Sequence, residues 1–272
     1  MVKTKLSSNS PIGVFDSGLG GLTVLKSLKK ILPGESFIYF GDTAHVPYGN
    51  KSADTVIKYS QNILNFFSKY HIKAVVVACN TASAVAYDVL QQQYFFPIFD
   101  VVSTSVEYTI KQSQTKNIGV IGTTSTINSK AYSQKIRELN EKISVYEVSC
   151  PLFVPIIEEG WAETEIAKEI AGIYLQGFEE KNIDSLILGC THYPIMANTI
   201  HSALPNNVKM VFSGETVGLK LSAYLNENGL INTSSFEGTI DFYVSDFPQK
   251  FDELGSRFFG EKLNNVEHIS LL

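Results

Sequence analysis

The stretch VVVACNTASA, Val75 to Ala84, decides the fold class because an uninterrupted apolar run passes directly into small polar residues. Such a run is typical of a strand that is buried on both faces of a parallel sheet. The side chains of Asn80 to Ser83 are of the kind that begin helices. The stretch therefore predicts a strand at 74–78 that leads into a helix, with Cys79 at the junction.

The same kind of junction occurs a second time, in LILGCTHYP from Leu186 to Pro194, where Cys190 takes the corresponding place. Two further apolar runs, IGVF at 12–15 and FIYF at 37–40, predict strands as well. Longer segments with helical periodicity separate these runs. The alternation predicts an α/β fold whose central sheets are parallel.

Three of the intervening segments predict amphipathic helices. The first, GLTVLKSLKKIL at 21–32, carries its leucines on one stripe and ends before Pro33-Gly34. The second begins after Ser52, whose hydroxyl can cap a helix. The apolar stripes of the second and third helices are expected to be Val56, Tyr59, Ile63, Phe67 and Tyr70, and Ile166, Ile170, Tyr174 and Phe178.

A faint internal repeat links two parts of the chain. IGVFDSG at 12–18 resembles IGVIGTT at 118–124, and KAVVVACNT at 73–81 resembles DSLILGCTH at 184–192. The nearly equal offsets favour two pseudo-symmetric α/β halves, although unrelated strand–loop junctions also resemble each other. Ligands of open α/β sheets lie beyond the carboxyl ends of the strands. Two halves that face each other would therefore place the two cysteines on opposite walls of one cleft.

The composition limits the partners of the chain. With 272 residues it is long enough for one large domain or two smaller ones. The net charge of −5 and the lack of a basic run argue against nucleic acid as a partner. The apolar runs are too short to cross a membrane, and MVKTKLSSNS at 1–10 lacks the apolar core of a signal peptide. We therefore expect a cytoplasmic protein with reduced thiols, no membrane contact and a small-molecule substrate.

The cysteines favour proton-transfer chemistry. Three cysteines are too few for a disulfide framework, and their spacing with His192 matches no usual zinc pattern, so no metal is expected. Cys150 is expected to be a small buried apolar residue. A thiolate and a thiol on opposite faces of a carbon atom could invert it, one removing a proton while the other returns one. A helix N-terminus beside Cys79 would lower its pKa by up to roughly one unit.

Other polar residues near these junctions have more than one interpretation. Asp16 could orient a substrate ammonium, assist proton transfer or cap the following turn, and His192 could assist as an acid or be a hydrogen-bonded loop residue. GLGG at 18–21, with Asp42 after the next strand, resembles a nucleotide-binding motif, but Thr23 breaks the G-x-G-x-x-G spacing. A tight turn whose backbone N–H groups meet a small anion explains these glycines equally well.

Five blocks of sequence carry a resemblance to a known family: FDSGLGGLTVL, DTAHVPYGNKS, VVACNTASA, CPLFVPIIEEG and LGCTHYP. Together and in this order they closely resemble the cofactor-independent glutamate racemases of bacteria, from about Pro11 to the end of the chain. The two cysteine blocks are the most diagnostic part. The resemblance implies two α/β domains with the active site in the cleft between them, glutamate as the substrate, and no cofactor.

The resemblance also implies roles for individual residues. Cys79 and Cys190 match the two catalytic thiols of the family, of which Cys79 would take the proton from the D-isomer and Cys190 from the L-isomer. Asp16, His192 and Glu158 match the assisting residues, although the neighbouring Glu159 leaves the choice of carboxylate open. The positions that match substrate-binding residues are Asp16, Ser17, Tyr48, Gly49, Asn80, Thr81, Thr191 and His192, with Thr123 and Thr124 as additional candidates.

The domain organisation and biological role are further implications of the resemblance. The second domain, residues 102–211, would be inserted into a first domain formed by residues 1–101 and 212–272. The family supplies D-glutamate for the peptidoglycan wall and commonly forms homodimers. Three other functions remain compatible with the residues alone: an aspartate racemase of the same family, a non-catalytic amino-acid-binding module with two lobes, and a nucleotide-dependent oxidoreductase.

Overall fold

Strands and helices alternate along residues 6–271, the part of the chain that the computed structural model describes. The strands are β1 (Ile12–Asp16), β2 (Phe37–Gly41), β3 (Ala74–Val77), β4 (Ile98–Asp100), β5 (Asn117–Gly122), β6 (Ser144–Ser149), β7 (Ser185–Gly189), β8 (Lys209–Phe212), β9 (Ile240–Val244) and β10 (Val266–His268). The helices are α1 (Gly21–Ile31), α2 (Ala53–Phe67), α3 (Asn80–Gln93), α4 (Val101–Gln112), α5 (Thr124–Asn128), α6 (Ala131–Leu139), α7 (Phe153–Glu158), α8 (Glu165–Leu175), α9 (Ala197–Ser202), α10 (Ser213–Glu227) and α11 (Pro248–Phe259). Residues 1–5, which carry half of the segment used for the signal-peptide prediction, lie outside the described residues, as does residue 272.

The strands form two parallel sheets. The first has the order β10-β9-β2-β1-β3-β4 and the second the order β6-β5-β7-β8. Within the first sheet, β2-β1-β3-β4 repeats the order of the whole second sheet, so that β1 corresponds to β5 and β3 to β7. The sheets confirm the predicted α/β fold, and this shared order supports the internal repeat.

The strands β1 and β3 are apolar at every position except Asp16, because helices cover both of their faces. Every residue of β1 and β3 is buried. Ala74 and Val76 belong to the same apolar cluster as the leucines of α1. Val75 and Val77 belong instead to a cluster with residues of α2 and α3. A strand enclosed in this way has no reason to alternate apolar with polar residues, which explains the run that opens VVVACNTASA.

Side-chain caps mark the starts of several helices. The Ser52 hydroxyl accepts a hydrogen bond from the backbone N–H of Thr55 at 3.3 Å, which confirms the predicted cap of α2. Asp100 caps α4 through the N–H groups of Val102 and Ser103. These acceptors satisfy backbone donors that have no partner within the first turn of a helix. Among the helices of residues 6–271, none combines the length and the apolarity that crossing a membrane requires.

The apolar stripe predicted around α8 is shifted by one position at its start, whereas its last residue, Phe178, is buried as predicted. Ile166, the first residue of that stripe, is 55% exposed, whereas Ala167, Ala171 and Leu175 form the buried face. Ile170 and Tyr174 lie at its border and are partly buried. The prediction followed the largest apolar side chains, but the small alanines face the core, where they allow the helix to approach it closely.

The two sheets draw on different parts of the sequence. Strands of the first sheet come from residues 12–100 and 240–268, and those of the second from residues 117–212. The division into residues 1–101 with 212–272 and residues 102–211 stays a prediction, which this strand membership supports. Helix α10 packs on both α1 and α4, so it contacts both halves of the fold.

Candidate active site

The two cysteine junctions lie at the carboxyl ends of corresponding strands. Cys79 follows β3 by one intervening residue, and Cys190 directly follows β7. The loop after β7 contacts the segment after β1, since Oγ1 of Thr23 at the start of α1 donates a hydrogen bond to the carbonyl oxygen of Thr191 at 2.7 Å. The loops after β1 and β7 therefore border one site between the two sheets.

Close packing explains why position 20 of the GLGG loop is a glycine. A Cβ atom at this position would collide with the side chains of Thr191 and His192. The missing side chain allows the loop of one half to approach the cysteine junction of the other half. Asp42, the expected ribose-binding acid of a nucleotide site, accepts hydrogen bonds from Tyr48 and Ser245 instead.

Cys79 is the N-cap residue of α3 and is 5% exposed. Its Sγ accepts a hydrogen bond from the backbone N–H of Ala82 at 3.5 Å and lies 3.6 Å from the Ser17 hydroxyl. Burial nevertheless raises the pKa of the Cys79 thiol to about 12, and the negative charge of Asp16 adds to this effect. The N–H of Ala82 at the start of α3 does lower this pKa, as expected, but desolvation of the thiolate outweighs it, so the net shift is upward.

Cys190 has a different environment. No α-helix begins at this junction, where a 3₁₀ turn spans Tyr193–Met196. Nδ1 of His192 lies 3.9 Å from the Cys190 Sγ, and Nε2 of the same ring lies 3.1 Å from Oε1 of Glu158. The imidazole thus connects the thiol to a carboxylate, and the pairing favours Glu158 over Glu159 as the assisting residue.

The His192–Glu158 pair is ionised at neutral pH. Burial alone would lower the pKa of His192, but the hydrogen bonds to Cys190 and Glu158 outweigh burial and raise it to about 10. The hydrogen bond from His192 lowers the pKa of Glu158, against the effect of its partial burial. A positive charge therefore lies next to the sulfur of Cys190.

Asp16 acts on the charged groups of both cysteine junctions. It is the last residue of β1, and its Oδ2 accepts a hydrogen bond from the backbone N–H of Gly18 at 2.9 Å, so it does cap the following turn. Its Oδ1 is buried and meets no hydrogen-bond donor among the residues that the structure describes. Burial raises the pKa of this carboxyl group. The pKa of Cys79 is raised mainly by burial, and that of His192 is raised mainly by its hydrogen bonds to Cys190 and Glu158. The negative charge of Asp16 raises both pKa values further.

Asn80, the residue after Cys79, also has one unused polar atom. Its Oδ1 accepts a hydrogen bond from the hydroxyl of Tyr132 at 2.6 Å. Its Nδ2 is buried and has no acceptor within residues 6–271. A buried donor without a partner is costly unless a ligand or water accepts from it. An unpaired carboxylate oxygen and an unpaired amide nitrogen thus accompany the cysteine junctions.

The remaining predicted substrate-binding residues lie around these groups. Ser17 and Thr191 flank the junctions, and Thr81 is in the first turn of α3. The Tyr48 hydroxyl donates to Asp42 at 2.6 Å, so this side chain is already engaged. Gly49 lies against Ser125 of α5, which places the turn near Thr124; the Thr124 side chain is exposed.

Three residues that contact the site are not among the residues predicted to form it. Tyr132 holds Asn80, Thr23 holds the backbone of Thr191, and the ring of Phe258 packs edge-on against His192 at 5.1 Å between centroids. Each lies on a helix, outside the cysteine junctions. Periodicity and motif spacing do not reveal such contacts between segments that are distant in the sequence.

The two thiols have different charged neighbours, an arrangement that suits proton transfer. Within residues 6–271 no group of three or more His, Cys, Asp and Glu side chains has the arrangement of a metal site. Cys150 is fully buried in the apolar core, as expected for a small apolar residue. Asp16 and Asn80 offer one acceptor and one donor, which match the ammonium and carboxylate groups of an amino acid.

The sequence of the chain is similar to those of known racemases. The family model Asp/Glu/hydantoin racemase matches residues 12–219. A glutamate racemase of Geobacter metallireducens is 45% identical over 260 residues, which cover 96% of each chain. A glutamate racemase of Chlorobaculum tepidum is 44% identical over 272 residues, the full length of both.

A solved structure extends the similarity to the fold. The crystal structure of a glutamate racemase from Francisella tularensis in complex with D-glutamate matches with a TM-score of 0.90 and 42% sequence identity. The match covers 97% of this chain and 98% of the other. Sequence and fold therefore point to the same family over nearly the whole chain.

Proposed function

Because the chain belongs to the Asp/Glu/hydantoin racemase family and is an isomerase that racemises amino acids, we propose that it interconverts L-glutamate and D-glutamate. The relatives named glutamate racemase align with nearly all of this chain, which supports glutamate rather than aspartate as the substrate. The family leaves a nucleotide-dependent oxidoreductase and a non-catalytic binding module without support.

The observation that carries the proposal is the pair of cysteine junctions at one site, each with its own charged neighbour. Cys79 lies beside Ser17 and near the carboxylate of Asp16, whereas Cys190 lies beside His192. Racemisation needs a base on one face of Cα and an acid on the other. Two thiols at corresponding positions of a repeated fold would supply such a base and such an acid.

The proposed reaction from the L-isomer begins at Cys190. Its thiolate removes the Cα proton, and the electron pair left on Cα is delocalised into the substrate carboxylate. The Cys79 thiol then delivers its proton to the opposite face of Cα. The products are the D-isomer, a Cys190 thiol and a Cys79 thiolate, and the reverse reaction exchanges the two roles.

The charges on the two sides support a particular resting state. The protonated His192 stabilises negative charge on the Cys190 sulfur, while burial and Asp16 keep Cys79 protonated, since its pKa is raised to about 12. We therefore assign the resting thiol to Cys79, and the imidazolium of His192 would stabilise the charge on Cys190 when Cys190 acts as the base. A thiol of high pKa becomes a strong base once it has lost its proton, which suits it to remove the weakly acidic Cα proton in the reverse direction.

The polar atoms without partners support roles in substrate binding. Oδ1 of Asp16 would accept from the ammonium group, and Nδ2 of Asn80 would donate to the α-carboxylate. Ser17, Thr81, Thr191, Thr124 and the backbone of the Tyr48–Gly49 turn complete the proposed site. The supply of D-glutamate for peptidoglycan, a cytoplasmic location and a homodimeric assembly belong to the same proposal and rest on the family resemblance.

The test of the proposal is isotope incorporation during turnover. The purified protein is incubated separately with L-glutamate, D-glutamate and L-aspartate in deuterated water, without added cofactor. We expect inversion of glutamate with deuterium at Cα of the product, measured by chiral chromatography and mass spectrometry. Inversion without deuterium would contradict the proton-transfer mechanism. Inversion of aspartate but not of glutamate would change the substrate.

A further inference from the structure

Tyr132 of α6 contacts the neighbours of both proposed catalytic thiols and is fully buried. Its hydroxyl donates a hydrogen bond to Oδ1 of Asn80, the residue after Cys79, at 2.6 Å. Its ring lies against Gly189, the residue before Cys190, because a Cβ atom on Gly189 would be 3.1 Å from Cε2 of Tyr132. One rigid side chain thus joins the two cysteine junctions.

We propose that Tyr132 is a positioning residue, which orients the Asn80 amide so that its N–H groups meet the α-carboxylate of the substrate. This inference rests on the proposed function, since it gives Tyr132 a part in binding the same substrate. Tyr132 lies outside the five blocks that carry the family resemblance, so its assignment comes from the geometry of the structure.

The orientation of the amide follows from the hydrogen-bonding capacity of the two groups. An asparagine side chain has an acceptor oxygen on one side and a donor nitrogen on the other. Burial raises the pKa of the Tyr132 hydroxyl, which therefore remains protonated and can donate. A donor at Oδ1 favours the orientation in which Nδ2 faces away from Tyr132, and Nδ2 is the atom without an acceptor among the described residues.

The position of the hydroxyl is itself fixed by packing. Gly189 brings its backbone close to the ring of Tyr132, and a larger residue there would also approach the carbonyl oxygen of Ile121, at 2.7 Å from its Cβ. Tyrosine has only two flexible side-chain torsions, so a ring enclosed in this way holds its hydroxyl at one place. The loss of that hydroxyl would leave the Asn80 amide free to turn its oxygen toward the substrate carboxylate.

The kinetic test uses the variants Tyr132→Phe and Asn80→Ala and the double variant. We expect Tyr132→Phe to raise KM for both glutamate isomers about tenfold, with a smaller change in kcat, because a buried donor loses its orientation. Asn80→Ala should have a similar or larger effect. The double variant should be no worse than Asn80→Ala alone, because Tyr132 acts through Asn80. Phenylalanine retains the ring, and thermal melting verifies that each variant is folded.

A matched control is Tyr94→Phe, which also removes a hydroxyl that donates to a neighbouring helix, here to the carbonyl oxygen of Gln61 at 3.0 Å. Its KM should equal that of the wild-type enzyme. An unchanged KM in Tyr132→Phe, or independent effects that multiply in the double variant, would overturn the role of Tyr132. Absence of glutamate turnover in the wild-type enzyme would instead overturn the proposed function.

Discussion

The two cysteine junctions occupy corresponding places in the repeated fold, yet their surroundings differ in charge. Cys79 caps a helix of 14 residues and lies near the negative charge of Asp16. Cys190 precedes a short 3₁₀ turn and lies next to the protonated His192. Four strands of the first sheet have the same order as the four strands of the second, so the difference comes from the loops at the carboxyl ends of the strands.

A repeated backbone therefore need not repeat the charges around its corresponding residues. The proposed reaction needs opposite protonation states on the two faces of Cα, and two identical junctions would give both thiols the same state. The carboxylate of Asp16 near Cys79 and the imidazolium of His192 next to Cys190 favour different protonation states for the two thiols. Enantiomers have equal free energies in water, so kcat/KM must be equal in the two directions, and any asymmetry must appear in kcat and KM separately.

The largest expected effect follows from removing either thiol. Cys79→Ser and Cys190→Ser should each reduce racemisation by about 10²–10⁴-fold, since a hydroxyl is a far weaker general acid and base than a thiol under these conditions. The first variant should still exchange the Cα proton of L-glutamate for deuterium, and the second that of D-glutamate. Mass spectrometry of the recovered substrate measures this exchange.

The pattern of deuterium exchange tests whether each thiol acts on one face of Cα only. Labelling of both isomers by one of the variants would mean that a single thiol reaches both faces of Cα. Near-normal racemisation by either variant would remove that thiol from the mechanism. Serine should also cap α3 at least as well as cysteine, so a loss of activity in Cys79→Ser should not coincide with a loss of stability.

Asp16→Asn should cause the next largest decrease in activity, and it should increase the stability of the folded protein. Removing the charge takes away the proposed acceptor for the substrate ammonium, so kcat/KM should fall by about 10–100-fold. Burial raises the pKa of Asp16, so the wild-type protein loses stability as the pH rises from 3.8, the ordinary pKa, toward the raised value. The asparagine variant lacks this loss and should be more stable at pH 7.

Unfolding of the two proteins at pH 4 and pH 7 checks the sign. The stability gain of Asp16→Asn should be larger at pH 7 than at pH 4. A variant that is less stable than the wild-type protein at pH 7 would show that the hydrogen bond to Gly18 outweighs the cost of the buried charge.

Glu158→Gln tests the charged neighbour of the other junction. Loss of the carboxylate removes one of the hydrogen bonds that raise the pKa of His192, so this pKa should decrease. We expect kcat to fall up to about tenfold, more in the direction in which Cys190 removes the proton. Glu159→Gln is the matched control, because Glu159 makes no side-chain hydrogen bond within residues 6–271 and should leave both directions unchanged. Equal effects of the two variants would contradict the assignment of Glu158.

The same pair predicts a pH dependence. The pKa of His192 is raised in the folded protein from 6.5 to about 10, so its contribution to stability is complete below pH 6.5 and is lost as the pH rises through about 10. Racemisation should decline over the upper part of this range as the imidazolium is deprotonated. In Glu158→Gln the decline should begin at a lower pH, which a comparison of pH–rate profiles measures. Superimposable profiles would exclude the pair as its cause.

Much of the fold was predictable because local chemistry determines it. The run at 74–78 is apolar at every position since both faces of β3 are covered, and Ser52 caps α2 through its own hydroxyl. The stripe of α8 was predicted one position off, because side-chain size suggested Ile166 while close packing selected Ala167. Sequence periodicity reports which residues are apolar, not how closely a helix approaches the core.

The site was less predictable than the fold. The two cysteine positions follow from strand–helix junctions, which are local features. The pKa of Cys79 depends on burial and on Asp16, 63 positions earlier, and Tyr132 reaches Asn80 across 52 positions. Such contacts between distant segments leave no trace in the spacing of residues. A residue's type was therefore visible in the sequence, whereas its electrostatic neighbours were not.

The smallest expected effect concerns a cap that has no chemical role. Ser52→Ala removes the hydroxyl that accepts from Thr55 at the start of α2 and should cost about 1 kcal/mol of unfolding free energy, or roughly 2–4 °C in Tm. Because α2 lies in the first half only and Ser52 is exposed, kcat in both directions should stay unchanged. A change in the ratio of the two kcat values would mean that the stability of one half, rather than the charges at the two thiols, sets the asymmetry of the reaction.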